Sequence, residues 1–164
     1  MAEITITTPL GWIQIVSEDN VLTRIHFMDE APLEAGNSDS FLLECVQQLQ
    51  QYFDGTAKDF PFLQIARQTG TDFQQRVWSE LVKIPYGKTI SYQQLAVRLG
   101  DEKCIRAAAS ANGQNNLAIA IPCHRVIGSD GTLTGYAGGL WRKKWLLDHE
   151  AKNSGNASQP GLFD

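Results

Sequence analysis

The sequence predicts an α+β chain: a small N-terminal domain of meandering strands and one helix, then a helical domain built around a winged-helix-like helix-turn-helix. Three observations carry this. Apolar and polar residues alternate over residues 3–27; from residue 40 the apolar spacing becomes helical; and after residue 70 two Ser/Thr-x-x-Gln signatures open short helices separated by a tight glycine turn. At 164 residues, 43% hydrophobic and 20% charged, the chain has the length and composition of an ordinary globular protein with one domain or two small ones.

The elements follow in order. "EITITTPLGWIQIVSEDNVLTRIHF" reads as short strands, with turns at Pro9-Leu10-Gly11 and Glu18-Asp19-Asn20. "SFLLECVQQLQQYF" (40–53) places Phe41, Leu42, Cys45, Leu49 and Phe53 at helical spacing and stops at Gly55. Residues 58–70 form a connector with at most one strand, and the boundary between domains 1–70 and 71–150 is set there. Thr71 and Gln74 then cap "DFQQRVWSELVKI", whose Phe73, Val77, Leu81 and Ile84 share a face. Ser91 and Gln94 cap "YQQLAVRL", which ends at Gly100, and Asp101 caps the alanine-rich "EKCIRAAASAN", which ends at Gly113. The second helix of this pair is thin enough to lie against a DNA groove. An "AIAI" strand (118–121), a Pro-Cys-His-Arg turn and a hairpin at Asp130-Gly131 come next, then a helix over 140–150 with the basic run Arg142-Lys143-Lys144. Residues 151–164 are expected to be a disordered tail.

Composition excludes several classes. No basic leader with an apolar stretch opens the chain, and no apolar run is long enough to cross a membrane, so neither a signal peptide nor a membrane partner is expected. Cys45, Cys104 and Cys123 are odd in number and far apart, which fits a reducing cytoplasm better than a disulfide framework. No CxxC or HxxxH spacing offers a zinc site, so no metal is expected. Charge is uneven: residues 1–70 carry ten acids against three bases, and residues 71–150 seven acids against ten bases. The second half is therefore the basic, working part, and binding to phosphate is expected to be salt-sensitive.

The chemistry concentrates in "AIAIPCHRV". Pro122 forces Ile121 into an extended conformation and ends strand pairing, leaving Cys123 at the mouth of the strand beside His124 and Arg125. On these residues alone, an inert buried thiol and an activated nucleophile are both open. Together, however, "IPCHRV", "SYQQLA", "NGQNN" and "GYAGG…KKWLLDHE" resemble the O6-alkylguanine-DNA alkyltransferases, the methylated-DNA–protein-cysteine methyltransferases. The resemblance is specific over residues 71–150 and general over 1–70.

It implies cofactor-free, single-turnover repair of double-stranded DNA containing O6-alkylguanine, with O4-alkylthymine as a second substrate. Carried over by position, Cys123 is the alkyl acceptor, His124 its base through a water, and Glu150 the carboxylate that orients His124. Tyr92 helps extrude the nucleotide and protonates the departing guanine, while Asn115 is the hinge between the recognition helix and the active-site strand. Arg106 is the finger that enters the duplex, from a face that includes Ala107 and Ser110. Tyr136 and Val126 line the base pocket. Ala137 stands where the family more often has serine. Two alternatives are kept: a lesion-binding module without transfer, for which the presence of Cys123 is the obstacle, and a cysteine hydrolase built on Cys123, His124 and Glu150, which leaves the helix-turn-helix without a task. In the tail, "QPGLF" (Gln159 to Phe163) resembles the short peptide by which bacterial repair proteins dock on the replication sliding clamp.

Overall fold

The computed structural model describes residues 1–33 and 36–155. They fall into two compact units: Met1–Gln68 with Asn116–Ala120, and Thr69–Asn115 with the chain from Ile121 onward. Among the described residues no helix is long and apolar enough to cross a membrane.

The first unit is an antiparallel meander of β1 (Ala2–Thr8), β2 (Gly11–Glu18) and β3 (Val21–Met28), followed by α1 (Ser40–Asp54). Asp19 (φ 51°) and Asn20 (φ 60°) take left-handed conformations at the β2–β3 turn, as residue types that tolerate that region should. Alternation puts Ile13 and Ile15 wholly inside; a register shift between Val16 and Ser17 then buries both of those residues. Helix α1 is capped by Asp39, whose carboxylate accepts from the Leu42 amide, and ends at Gly55 with φ 87°. Its buried face is Leu42, Cys45, Val46, Leu49 and Tyr52, so the predicted stripe is rotated and Phe41 and Phe53 lie at its margins. Tyr52, Phe60 and Phe62 form an aromatic row with centroid separations of 5.4 and 5.1 Å. The connector forms a 3₁₀ turn at Pro61–Ile65 and makes a single bridge, Ala66 to Leu22.

Segment Asn116–Ala120 is held to β3 by Ile25 N–H donating to Asn116 O (2.9 Å) and Ala118 N–H donating to Ile25 O (3.1 Å). The expected 118–121 strand is corrected here to a turn. Ile119 has φ 70°, a left-handed conformation that interrupts any extended run. Ile119, Ala120 and Ile121 are buried as predicted, but not in a ladder, and Ala118 is half-buried.

The second unit contains α2 (Asp72–Val82), β4 (Ile90–Ser91), α3 (Tyr92–Arg98), α4 (Ile105–Gly113), β5 (Val126–Ile127) and α5 (Leu140–Asn153). Both capping boxes form. Thr71 and Ser91 each accept from the third helical amide, and Gln74 and Gln94 reach back to the cap amides; each box contributes about 1 kcal/mol. Gly100 (φ 93°) and Asp101, which accepts from Lys103 N–H, turn the chain from α3 into α4 through a 3₁₀ turn at Glu102–Cys104. Trp78 and Ala111 tie α2 to α4 through Nε1–H···O at 2.9 Å. The predicted hairpin after Cys123 is absent: β5 has two residues and pairs in parallel with β4. Asp130 instead accepts from Thr132 N–H and Oγ–H, closing a local turn and leaving residues 128–139 as a loop.

Candidate active site

Cys123 begins a 3₁₀ turn (Cys123–Arg125) that follows Pro122. It is 7% exposed. The side-chain amide of Asn115 donates to its Sγ at 3.3 Å and to Ile121 O at 2.8 Å, while Asn112 donates to Cys123 O at 3.3 Å. The end of α4 thus fixes the thiol. Burial pushes the Cys123 thiol above its ordinary pKa; the Asn115 bond, the Lys143 ammonium and the Tyr136 hydroxyl oppose that shift without cancelling it. The resting sulfur is therefore protonated at neutral pH and needs a base.

His124 is fully buried, and its Nε2 lies 2.8 Å from Glu150 Oε2. Burial drives the imidazole pKa down, outweighing the neighbouring Glu150, so the ring is neutral. Burial alone would raise the Glu150 carboxyl, but His124 and Arg125 overcome it and hold the group well below the usual carboxylate range. An ionised Glu150 only accepts, so Nε2 carries the proton and Nδ1 presents its lone pair. That Nδ1 is buried with no hydrogen-bond partner among the described residues. Imidazole and carboxylate are paired on the residue next to the thiol, and the free nitrogen is the one a base requires.

Arg125 is the residue whose task the sequence hides. Two residues after Cys123, it reads as a charge that would lower the thiol pKa. Instead it forks onto Glu150 (Nε to Oε1 2.7 Å, Nη2 to Oε2 3.0 Å), and its Nη1 donates to Ile84 O at 2.7 Å. The basic run on α5 turns largely inward. Lys143 is fully buried and Arg142 is 6% exposed, while Lys144 pairs with Asp148 at 2.8 Å. Lys143 Nζ donates to Val126 O (2.6 Å), Thr134 O (2.8 Å) and Gly135 O (3.2 Å), and burial brings its pKa down to about 8.

Tyr92, at the first position of α3, hydrogen-bonds with Thr134 and Asn112, and the Lys143 ammonium sits 5.7 Å from its ring centroid. Tyr136, half-buried in the 128–139 loop, hydrogen-bonds with Cys123. Val126 is fully buried in β5 and reaches the site through its carbonyl. Arg106, Ala107 and Ser110 form an exposed strip on α4, with Ala108 and Ala111 buried behind them. Around the sulfur, Asn115 and Tyr136 hydrogen-bond with it and Tyr92 feels its charge, while His124 and Glu150 pair with each other.

Comparison with known proteins is consistent across the chain. The family described as 6-O-methylguanine DNA methyltransferase, ribonuclease-like domain, matches residues 1–66, and its DNA binding domain matches residues 72–152. The methylated-DNA–protein-cysteine methyltransferase of Methanosarcina barkeri is 42% identical over 153 residues, covering 90% of this chain and 96% of its own. The constitutive one of Bacillus subtilis is 43% identical over 155 residues, covering 89% and 93%. The crystal structure of Mycobacterium tuberculosis OGT in complex with DNA superposes with a TM-score of 0.83 at 40% identity, covering 92% of this chain and 93% of that one. With both halves matched and relatives this similar spanning nearly their full lengths, the chain belongs to the 6-O-methylguanine DNA methyltransferase family.

Proposed function

We propose that this chain repairs double-stranded DNA by direct reversal, moving the alkyl group of O6-alkylguanine irreversibly onto Cys123. The observation that supports it best is the array Cys123, His124, Glu150 and Arg125, in which a buried thiol stands beside a neutral imidazole whose free Nδ1 is set by an ionised, doubly held carboxylate. Through a bridging water, Nδ1 takes the thiol proton. The thiolate attacks the alkyl carbon, the S–C bond forms as C–O6 breaks, and the guanine leaves with the electron pair, protonated by Tyr92. Nothing in the site supplies a nucleophile to cleave the resulting thioether, so each molecule reacts once.

The alkylated base must leave the stack to reach a buried sulfur, at a cost of a few kcal/mol. The exposed strip Arg106, Ala107 and Ser110 is suited to this: Arg106 takes the vacated place in the duplex while the small residues allow close backbone approach. Asn115 links that helix to the sulfur, and Tyr136 with Val126 bounds the base pocket. Residues 71–150 then carry DNA binding and chemistry, and residues 1–70 support them. O4-alkylthymine is a second substrate, and the three free cysteines suit a cytoplasmic setting. Sliding-clamp docking through Gln159–Phe163 lies outside the described residues.

Substrate titration tests the proposal. With excess O6-methylguanine duplex, the expected yield is one guanine restored per protein molecule. Continued turnover would favour a cysteine hydrolase, and binding without restoration a lesion-recognition module; either result overturns the proposal.

A further inference from the structure

Helix α5 starts in a way its electrostatics oppose. Its cap, Gly139, makes no side-chain hydrogen bond, its first turn has no acidic residue, and Arg142, Lys143 and Lys144 follow near the positive end of the dipole. Two of these cations are also buried, at further cost. Their partners explain the arrangement. The loop before the helix has no ladder, so its carbonyls need donors. Lys143 Nζ serves Thr134 O and Gly135 O on one side of Tyr136 (2.8 and 3.2 Å), and Arg142 Nη1 serves Gly138 O on the other (3.0 Å). Lys143 also ties this loop to β5 through Val126 O. The Arg142 guanidinium lies 4.7 Å from the Trp141 ring centroid, which fixes its plane. Apolar side chains would fill the same space without the charge penalty but would supply these carbonyls no donor.

We propose that Arg142 and Lys143 are positioning residues that hold the Tyr136 loop from both sides and so set how tightly the extruded alkylated base is bound. The inference rests on the function proposed above. The two cations differ in what else they touch. Arg142 acts on the loop. Lys143 also lies against the Tyr92 ring and faces the Cys123 sulfur, so it influences the chemical step as well.

Single-turnover alkylation by free O6-benzylguanine, measured over a range of concentrations, separates these effects. Arg142→Met is expected to raise the half-saturating concentration at least tenfold, equivalent to about 1.4 kcal/mol, and to change the maximal rate by a smaller factor. Arg142→Lys, which keeps a charged donor, restores most of the loss; Lys143→Met raises half-saturation and also lowers the maximal rate. Half-saturation within twofold of wild type in Arg142→Met, or equal losses in Arg142→Met and Arg142→Lys, overturns the proposal. Should Arg142→Met melt below the assay temperature, Arg142→Lys against Arg142→Gln gives the same comparison. Amide exchange at Gly139, whose N–H donates to Tyr136 O at 2.9 Å, reads the loop without any chemistry. It should speed up at least tenfold in Arg142→Met, and unchanged exchange overturns the clamp even if the wild-type protein transfers no alkyl group.

Discussion

Replacing Glu150 by glutamine exchanges one carboxylate oxygen for an NH₂ at the most connected point of the site. The carboxylate accepts from His124 Nε2 at 2.8 Å and from Arg125 at 2.7 and 3.0 Å, all inside the protein. A glutamine offers one oxygen and one NH₂, so at least one donor then faces another donor, and the Arg125 charge loses its counter-ion. Breaking a buried pair by neutralising one partner costs about 3–5 kcal/mol, and at this chain length each kcal/mol lowers Tm by about 2–4 °C. The melting temperature should therefore fall by roughly 6–20 °C. The chemistry suffers separately: without the carboxylate, His124 is no longer held with its proton on Nε2, and single-turnover transfer from an O6-methylguanine duplex should fall by about 10²-fold or more, the lower end for losing general base catalysis. Differential scanning calorimetry and quenched-flow alkylation measure the two effects. A Tm within 2 °C of wild type (less than about 1 kcal/mol), or a transfer rate within twofold, would refute the reasoning. The same depressed carboxyl predicts acid sensitivity. Its stabilisation is fully present above the unfolded glutamate pKa, about 4.3, and disappears as pH falls toward the lower folded value; Glu150→Gln should flatten the acid side of the stability curve.

Arg106→Ala should slow repair in duplex DNA far more than reaction with free O6-benzylguanine, because only the duplex needs a side chain in place of the extruded base; equal losses would exclude that role. Asn115→Ala removes a hydrogen bond that lowers the Cys123 pKa, so the thiol rises further and the pH of half-maximal alkylation should shift upward; an unchanged profile argues against the bond's importance. In the tail, Leu162→Ala with Phe163→Ala should abolish binding to a bacterial sliding clamp in a fluorescence titration, and equal binding with and without the substitutions leaves the segment no such role.

Local signals were the most legible part of the sequence. The capping boxes at Thr71 and Ser91, the glycine after α1 and the left-handed Asp19-Asn20 turn depend on a few neighbouring residues and form as their spacing predicts. The elements missed depend on distant partners. An apolar run reads as a buried strand, but whether it joins a ladder depends on backbone conformation, and Ile119 adopts one that a β-branched residue rarely takes. Asp130-Gly131 signals a turn correctly, yet a hairpin also needs flanking strands, and β5 stops after two residues. At the site, the Cys123-His124 pair and the acid at Glu150 were visible through family resemblance. Asn112, the fork of Arg125 and the inward course of Arg142 and Lys143 were not, because each is defined by a carbonyl or carboxylate from elsewhere in the chain.

The central claim is that one sulfur accepts the alkyl group, and peptide mapping after reaction tests it most directly. The protein is incubated with duplex carrying isotopically labelled O6-methylguanine, digested and analysed by mass spectrometry, alongside Cys123→Ala. The account predicts a single labelled methyl on the Cys123 peptide, with Cys45 and Cys104 unlabelled and no transfer in the variant. Label on Cys45 or Cys104, or methyl transfer persisting in Cys123→Ala, would contradict it.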